Sequence, residues 1–497
     1  MKKYLCWSFY ALFGLCFTLL LINVVFHNTT YPSPAVFLLP AIVLALLLLS
    51  FAYSKLKKHE AVLQKNYRII LPVFLGIMLL LQLVFGFRLQ FQPAFDMGAI
   101  YDGASEWVKT GTFASQYDYM YYFPNNLGSM AYLKFFFSIA SLFGIQNFFG
   151  VGIVVNSLMS VGTMAAVSCI CKKLSGYRNA VFALLLFALS LPFYFIGAAF
   201  YTDALSMLFP VLVYYLYLLA RDTSSRKQQI LYGVLLGIAG AVGMLVKFTV
   251  IIMLIAVAIE VLLRKGLKNM LPWVLSALPV LILVPLVFNA YIYSAHLDKA
   301  QAEKQNTPYS HWIMMGLSEE GAYDPQDYNF TRSFSDTKQR DEEIRKEIGQ
   351  RVKKLGLSGL SDLYTKKSVR CFGDGTFALS DFLDDSPKNE TALHDYILYD
   401  GNHYKGYRTI CSGVFFAILI LIAFAAYQKL FTKQTDWTSQ LAAPTAAFGI
   451  FLFLLLWETN GRYALNFVPV LFICASLGID FFTNTMAKAG AAVRSAF

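Results

Sequence analysis

Eight charged side chains in an otherwise apolar chain carry the chemistry open to this sequence: Asp96, Asp102, Glu106, Asp118, Asp203, Lys247, Glu458 and Arg462. They come from five separate stretches and all fall at the outer ends of predicted membrane helices. An ionisable group beside hydrocarbon is expensive and is retained where it has work to do. A carboxylate in such a place can take a proton from a hydroxyl, and cations can hold the oxygens of a phosphate.

Each residue has a plainer role to weigh against that chemistry. Asp96, in QPAFDMGAIYDGASEW at 92–107, is placed to act as a base or to cap the helix that follows. Asp102 and Glu106 are four apart and share a helix face, where a substrate contact competes with simple solvation. Asp203 is the one charge of FYTDALSM at 200–207, with Thr202 competing for the cap. Lys247, in LVKFTV, is a lone cation that needs an anionic partner, either Asp203 or a ligand. In WETNGRY at 457–463, Arg462 has the donor fork for a phosphate, or it closes a salt bridge to Glu458 inside the turn. Tyr117, Tyr119, Tyr121, Tyr122 and Phe123 can stack on a sugar or an isoprenoid, or sit in an interfacial belt. His311, in HWIMMGL at 311–317, is a further candidate for substrate contact.

The chain that must position these groups has 497 residues, 57% hydrophobic and 14% charged, with a mean hydropathy of +0.54. That excludes a soluble protein and predicts a polytopic α-helical membrane protein. Twelve spans are expected, near 5–26, 35–53, 69–91, 147–170, 179–197, 204–220, 271–293, 409–428, 441–457 and 464–482, with two more between 230 and 263. That last stretch is bounded by Arg226 and Lys227 at one end and Arg264 and Lys265 at the other. Basic loops stay cytoplasmic, so the stretch must go out and return as two short helices with Lys247 at a recessed tip. Lys and Arg concentrate in the other inner loops too, among them Lys55, Lys57, Lys172, Lys173, Lys268 and Lys429, so both termini are placed in the cytoplasm. The net charge of +11 is therefore topology rather than a nucleic-acid footprint.

The residues at 1–26 are expected to remain as an anchoring helix rather than a cleaved leader. Seven cysteines give neither a disulfide framework nor a zinc pattern. Four regions follow: two helices and a loop at 1–68, a membrane module at 69–293 with a first outer loop at 92–146, an extracytoplasmic domain at 294–408, and three helices at 409–497. The first outer loop is expected to form two interfacial helices, the second starting after Pro124 with Asn125 or Asn126 as cap. The domain at 294–408 is read as small α+β or irregular, with a helix over 335–355. No internal repeat is visible.

The order of these features resembles the membrane module of the GT-C glycosyltransferases. That order is a span, an outer loop with an Asp and two interfacial helices, two spans, a turn with Asp203, two spans about Lys247, and further spans. Within that superfamily it is most similar to bacterial relatives of the protein O-mannosyltransferases (glycosyltransferase family 39-like) and of the lipid A aminoarabinose transferase. Those enzymes use polyprenyl-phosphate sugars, and the likeness covers 69–293 and WETNGRY. The resemblance implies that Asp96 activates the acceptor, that Asp203 is the second acid, and that Lys247 and Arg462 hold the donor phosphate. Glu458, Asp102, Tyr122 and His311 complete the expected substrate contacts. Asp96 is followed by Met97 where the family often has Glu, so no cofactor is certain and a divalent metal is left open.

The expected function is an inverting transfer of a sugar to a glycan, lipid or protein acceptor at the outer membrane face, in cell-envelope synthesis. Partners are then the lipid-linked donor, the acceptor and membrane lipids, with no nucleic acid. The alternatives are a lipid-linked sugar flippase or transporter, and a polysaccharide polymerase or ligase resting on His311 or Arg408. A transporter would hold ionisable groups near the midplane and show repeated halves. Here Glu260 and Asp480 lie toward the inner ends.

Overall fold

A computed structural model describes residues 2–264, 270–383, 387–433 and 436–496, so Lys265 and Lys268 lie outside the described residues. The described chain is helical, and its only β pairing is an isolated bridge between Phe91 and Pro387. Among the described residues nine helices are long and apolar enough to cross a membrane, or ten if the bent pair Tyr177–Leu189 and Pro192–Ala198 forms one span. Phe248–Leu263 and Ala442–Leu456 are apolar but shorter, so a count of twelve rests on those two crossing. All seven cysteines are free thiols.

The helix Val468–Ala496 runs through the middle of the bundle. Six consecutive residues, 470–475, are fully buried, which a helix achieves only when neighbours cover every side. Leu271–Ala295 is the opposite case, burying only Trp273, Ala277 and Ile292. It is held to Arg226–Val246 by small residues spaced four apart. A Cβ on Gly233 would overlap the Trp273 carbonyl, and one on Gly237 would come within 2.8 Å of the Ala277 carbonyl. Backbones that close are how helices associate where lipid removes the hydrophobic drive.

At one end of the bundle the helices break, and buried polar side chains take up the freed backbone groups. Non-helical backbone at membrane depth survives only where protein supplies its hydrogen bonds. The segment Pro192–Ala198 is caught by Gln82, which donates to the Phe193 carbonyl at 2.7 Å, and by Asn156, which donates to the Ile196 carbonyl at 2.7 Å. The end of Arg226–Val246 is held by Ser129, whose hydroxyl donates to the Val246 carbonyl at 2.9 Å. Asn466 then donates to Thr249 at 2.8 Å, tying the same break to the final helix.

At the other end Glu260 is fully buried but fully partnered. It accepts from Tyr217 at 2.8 Å and from the Ala442 amide at 2.8 Å, with Arg221 at 3.3 Å. Asp480 pairs with Lys57 at 3.2 Å. These groups fasten helices to one another.

Residues 294–408 carry the long helix Thr337–Phe372, which kinks at Gly356, where φ is 60°. The predicted helix over 335–355 ends at that glycine, and the structure resumes helix beyond it. Residues 92–146 form Phe95–Thr110, the short Tyr117–Tyr122 and Leu127–Leu142. Asn126 stands at the cap position of the last but turns its amide to the Tyr119 hydroxyl instead.

Gly128 offers a direct test of the close packing at the broken end. A Cβ there would overlap the Leu245 carbonyl, whereas one on Gly76 meets nothing within 4 Å. Gly128→Ala should destabilise the protein by about 1 to 3 kcal/mol. Gly76→Ala should be neutral or stabilise by about 0.5 to 1 kcal/mol. Thermal unfolding of both variants in detergent reads the difference, and equal effects would remove the packing argument.

Candidate functional site

The breaks bring four charged residues from four stretches of sequence to one place. Asp203 lies in the first turn of Thr202–Leu205, Lys247 stands in extended backbone after Val246, Arg462 is in the loop before Leu465–Phe467, and Asp96 begins Phe95–Thr110. The Asp203 carboxylate is the centre. One oxygen accepts from Lys247 Nζ, and the other lies 3.3 Å from Arg462 Nε. That second approach is an ion pair without hydrogen-bond geometry, so neither Asp203 Oδ2 nor Arg462 Nε completes a hydrogen bond.

Asp96 does not cap a helix. Ala94 is at the cap position, and the Asp96 carboxylate accepts from Tyr119 at 2.7 Å and from Tyr201 at 3.2 Å. Burial, followed by the nearby Asp96 charge, pushes both phenols up, so both remain protonated donors at neutral pH. Phe95 is held at φ 49°, a left-handed conformation costing about 1 to 3 kcal/mol for such a residue. That turn aims Asp96 back at the bundle. Tyr201 links the two halves, since the Arg462 guanidinium lies over its ring at 5.1 Å. Tyr463 closes the far side, 5.2 Å from Lys247 Nζ and 5.3 Å from Arg462. Asp96, Tyr201, Phe382, Asp381 and Arg462 line a cavity of about 70 Å³.

Glu458 is buried beside the cluster. It forms no salt bridge with Arg462, which is drawn to Asp203 instead. Burial pushes its carboxyl up to about 7, helped by Asp96 and opposed by Arg462 and Lys367. Its loop is pinned by residues 312–321: the Glu458 amide donates to the Trp312 carbonyl at 3.1 Å and the Thr459 amide to the Gly321 carbonyl at 2.8 Å.

Other expected residues fall elsewhere. Asp102 is exposed and, among the described residues, has no hydrogen bond or ion pair. Glu106 accepts from the Ser115 amide at 3.2 Å, and Asp118 is exposed. His311 is 1% exposed and bonds Thr331 at 2.6 Å, with burial lowering its pKa to about 4, so it is neutral and shut away from solvent. Tyr122 belongs to a different cavity. Among the described residues no group of three or more His, Cys, Asp and Glu is placed to hold a metal ion. Asp96 and Asp381 are the acidic residues that share the cavity with Arg462.

Several residues of the site went unmarked in the sequence. Tyr201 and Tyr463 are aromatic residues in aromatic surroundings, and Lys367 is half of a Lys366–Lys367 doublet in a soluble-looking stretch. Lys367 is nevertheless 1% exposed and donates to the Gly316 carbonyl at 2.8 Å. Gln82 was the one legible signal, a polar residue inside an apolar run.

A family model described as a conserved hypothetical integral membrane protein matches residues 3–482. The chain belongs to that family. No curated protein matches this integral membrane protein. Among solved structures it is similar to ArnT from Cupriavidus metallidurans bound to undecaprenyl phosphate. The two are 13% identical, with 86% of this chain and 80% of that chain covered and a TM-score of 0.33.

Two measurements test the electrostatics. Removing the Asp203 charge leaves two enclosed cations without a carboxylate, so Asp203→Asn should cost about 3 to 5 kcal/mol. Adding Lys247→Met should recover part of that loss, and strict additivity in thermal unfolding would show the pair to be uncoupled. For Glu458, the folded protein keeps its proton up to about pH 7, against an ordinary value of 4.5. Its contribution therefore declines as pH rises from 4.5 through 7, by on the order of 3 kcal/mol. Glu458→Gln should flatten the unfolding midpoint over that window.

Proposed function

We propose that this protein is an inverting glycosyltransferase that moves a sugar from a polyprenyl-phosphate donor to an acceptor hydroxyl. In this reading twelve helices span the membrane, both termini are cytoplasmic, and the site opens on the outer face beneath the domain at 294–408. The observation that carries the proposal is the meeting of Asp96 with Lys247, Arg462 and Asp203 around Tyr201, beside a cavity that Asp96, Tyr201 and Arg462 line.

The acceptor oxygen attacks the anomeric carbon while its proton passes to Asp96. The bond from that carbon to the phosphate oxygen breaks, and the electron pair leaves with the polyprenyl phosphate. The leaving group is already an anion at neutral pH, so it needs positive charge rather than a general acid. Lys247 and Arg462 supply that charge, fixed in place before the reaction begins. Tyr119 and Tyr201 orient the base by donating to its two oxygens. Asp203 is a positioning residue, because both cations are drawn to its carboxylate and it has no free approach to a substrate proton.

A cavity of about 70 Å³ holds roughly two waters, given about 30 Å³ for each. A sugar must therefore displace part of the wall. Phe95, 87% exposed and in strained backbone, is the wall residue with least packing to lose.

The test is transfer of radiolabelled polyprenyl-phosphate sugar to an acceptor extract by the protein in lipid. Asp96→Asn should lower the rate by about 100-fold or more, the usual worth of a positioned base. Lys247→Ala should lower it similarly. Full transfer by Asp96→Asn would remove the base, and label crossing the bilayer without transfer would make the protein a flippase.

A further inference from the structure

A second cavity, about 140 Å³, lies between the Tyr117–Tyr122 helix and the segment 304–340, away from the cluster around Asp203. Its ionisable lining is Lys304, Arg332 and Arg340 apart from the phenol of Tyr122, and no carboxylate lines it. None of the three cations makes an ion pair among the described residues. Asp336, whose charge acts on Arg340 without an ion pair, caps the Thr337–Phe372 helix through the Gln339 amide at 2.8 Å.

The cations are arranged rather than scattered. Arg332 is clamped between two rings, with its guanidinium carbon 3.5 Å from the centre of Tyr122 and 4.7 Å from that of Tyr328, and it donates to the Tyr328 hydroxyl. Stacking fixes a guanidinium plane while leaving its remaining donors free. Arg340 is 6% exposed and donates to the carbonyls of Phe334, Asn306 and Lys304, so its guanidinium is locked at the floor without an ion pair among the described residues. Beside it the Gln305 side-chain oxygen is buried without a partner. Amide oxygen and nitrogen exchange on a flip, which would turn that group into a donor for an anion. Preorganised, unpaired cations in a cleft form a binding site for an oxyanion.

We infer that this cavity binds an oxyanion, a phosphate or carboxylate, carried by the acceptor. The identity of the carrier rests on the proposed transfer; the anion site does not. Tyr122 lines this cavity while Tyr119, three residues earlier on the same helix, donates to Asp96. One helical turn plus the side chains separates the two sites by on the order of 10 Å. An anionic group there would sit a residue or two of glycan from the hydroxyl that Asp96 deprotonates, and would set its register.

The test is binding of glycerol 3-phosphate and of glucuronate to the full chain in phosphatidylcholine nanodiscs, read by ligand-observed NMR with no donor present. At least one probe should bind, and Arg332→Gln and Lys304→Gln should each weaken it about tenfold, the loss of one charge-assisted contact. Lys353→Gln, an exposed charge on the Thr337–Phe372 helix outside the cavity, should change nothing. Unfolding midpoints report whether each variant folds, and Lys304→Gln carries the test if Arg332→Gln does not. Absence of binding, or binding unaltered in the folded variants, overturns the site. Loss of probe binding when phosphatidylglycerol replaces phosphatidylcholine makes the occupant a lipid headgroup and overturns the acceptor assignment. A chain that transfers no sugar yet binds the probes keeps the anion site and loses only the proposed reaction.

Discussion

One buried carboxylate holds the broken end of this bundle together. Asp203 is 1% exposed at its side chain and draws in Lys247 and Arg462, which come from stretches 44 and more than 250 residues away. A lone charge at that depth would cost several kcal/mol, and the attraction of two cations to one carboxylate offsets that cost only if their geometry is kept. The three helix breaks are therefore not independent. Shifting any one exposes an unpaired ion to an apolar surrounding, so the ion triad enforces the register of three irregular segments.

The neutral polar residues make the breaks affordable in the first place. Each interrupted helix frees carbonyls that lipid cannot satisfy. Gln82, Asn156, Ser129 and Asn466 meet that demand from neighbouring helices, and all four are buried. Small residues let those helices come close enough, as at Gly128 against Leu245 and Gly478 against Leu421. The proposed active site thus stands on an infrastructure of amides, hydroxyls and glycines that does no chemistry. Gln82→Leu would fill the same space and strand the Phe193 carbonyl.

How far this was legible in the sequence depends on what kind of signal a residue leaves. Asp96, Asp203, Lys247, Glu458 and Arg462 stood out because charge beside hydrocarbon is costly, and the structure gathers them. The apolar runs located the helices for the same reason, although length alone does not decide whether the short Phe248–Leu263 and Ala442–Leu456 cross. Asp102 was read from periodicity, which groups residues on a face without saying what that face meets. In Tyr117–Tyr122 four of six residues are tyrosines, so composition cannot choose Tyr119 for Asp96 over Tyr122 for Arg332. Lys367 left no signal, since its burial comes from a tertiary contact with Gly316. The segment 294–408 left α+β and irregular folds open, and among the described residues turn-rich sequence such as GDGT forms a tight loop in which Asp374 accepts from Thr376 and Ala378.

The charge balance of the site explains why Glu458 sits where it does. Counted formally, Asp96 and Asp203 cancel Lys247 and Arg462, so the resting cluster is neutral without Glu458. A phosphate entering that cluster adds at least one negative charge to a cleft of low dielectric, where like charges repel far more strongly than in water. A Glu458 carboxylate would make that worse. Held with a pKa of about 7 by its burial, it can instead keep its proton, and an arriving anion stabilises the protonated form further. Ligand and proton therefore bind together at this site, each strengthening the other by the same factor. Anion affinity should then fall as pH rises above 7, and the fall should vanish in Glu458→Gln. In the proposed reaction the cations would attract the phosphate, and the proton on Glu458 keeps a third carboxylate from opposing them.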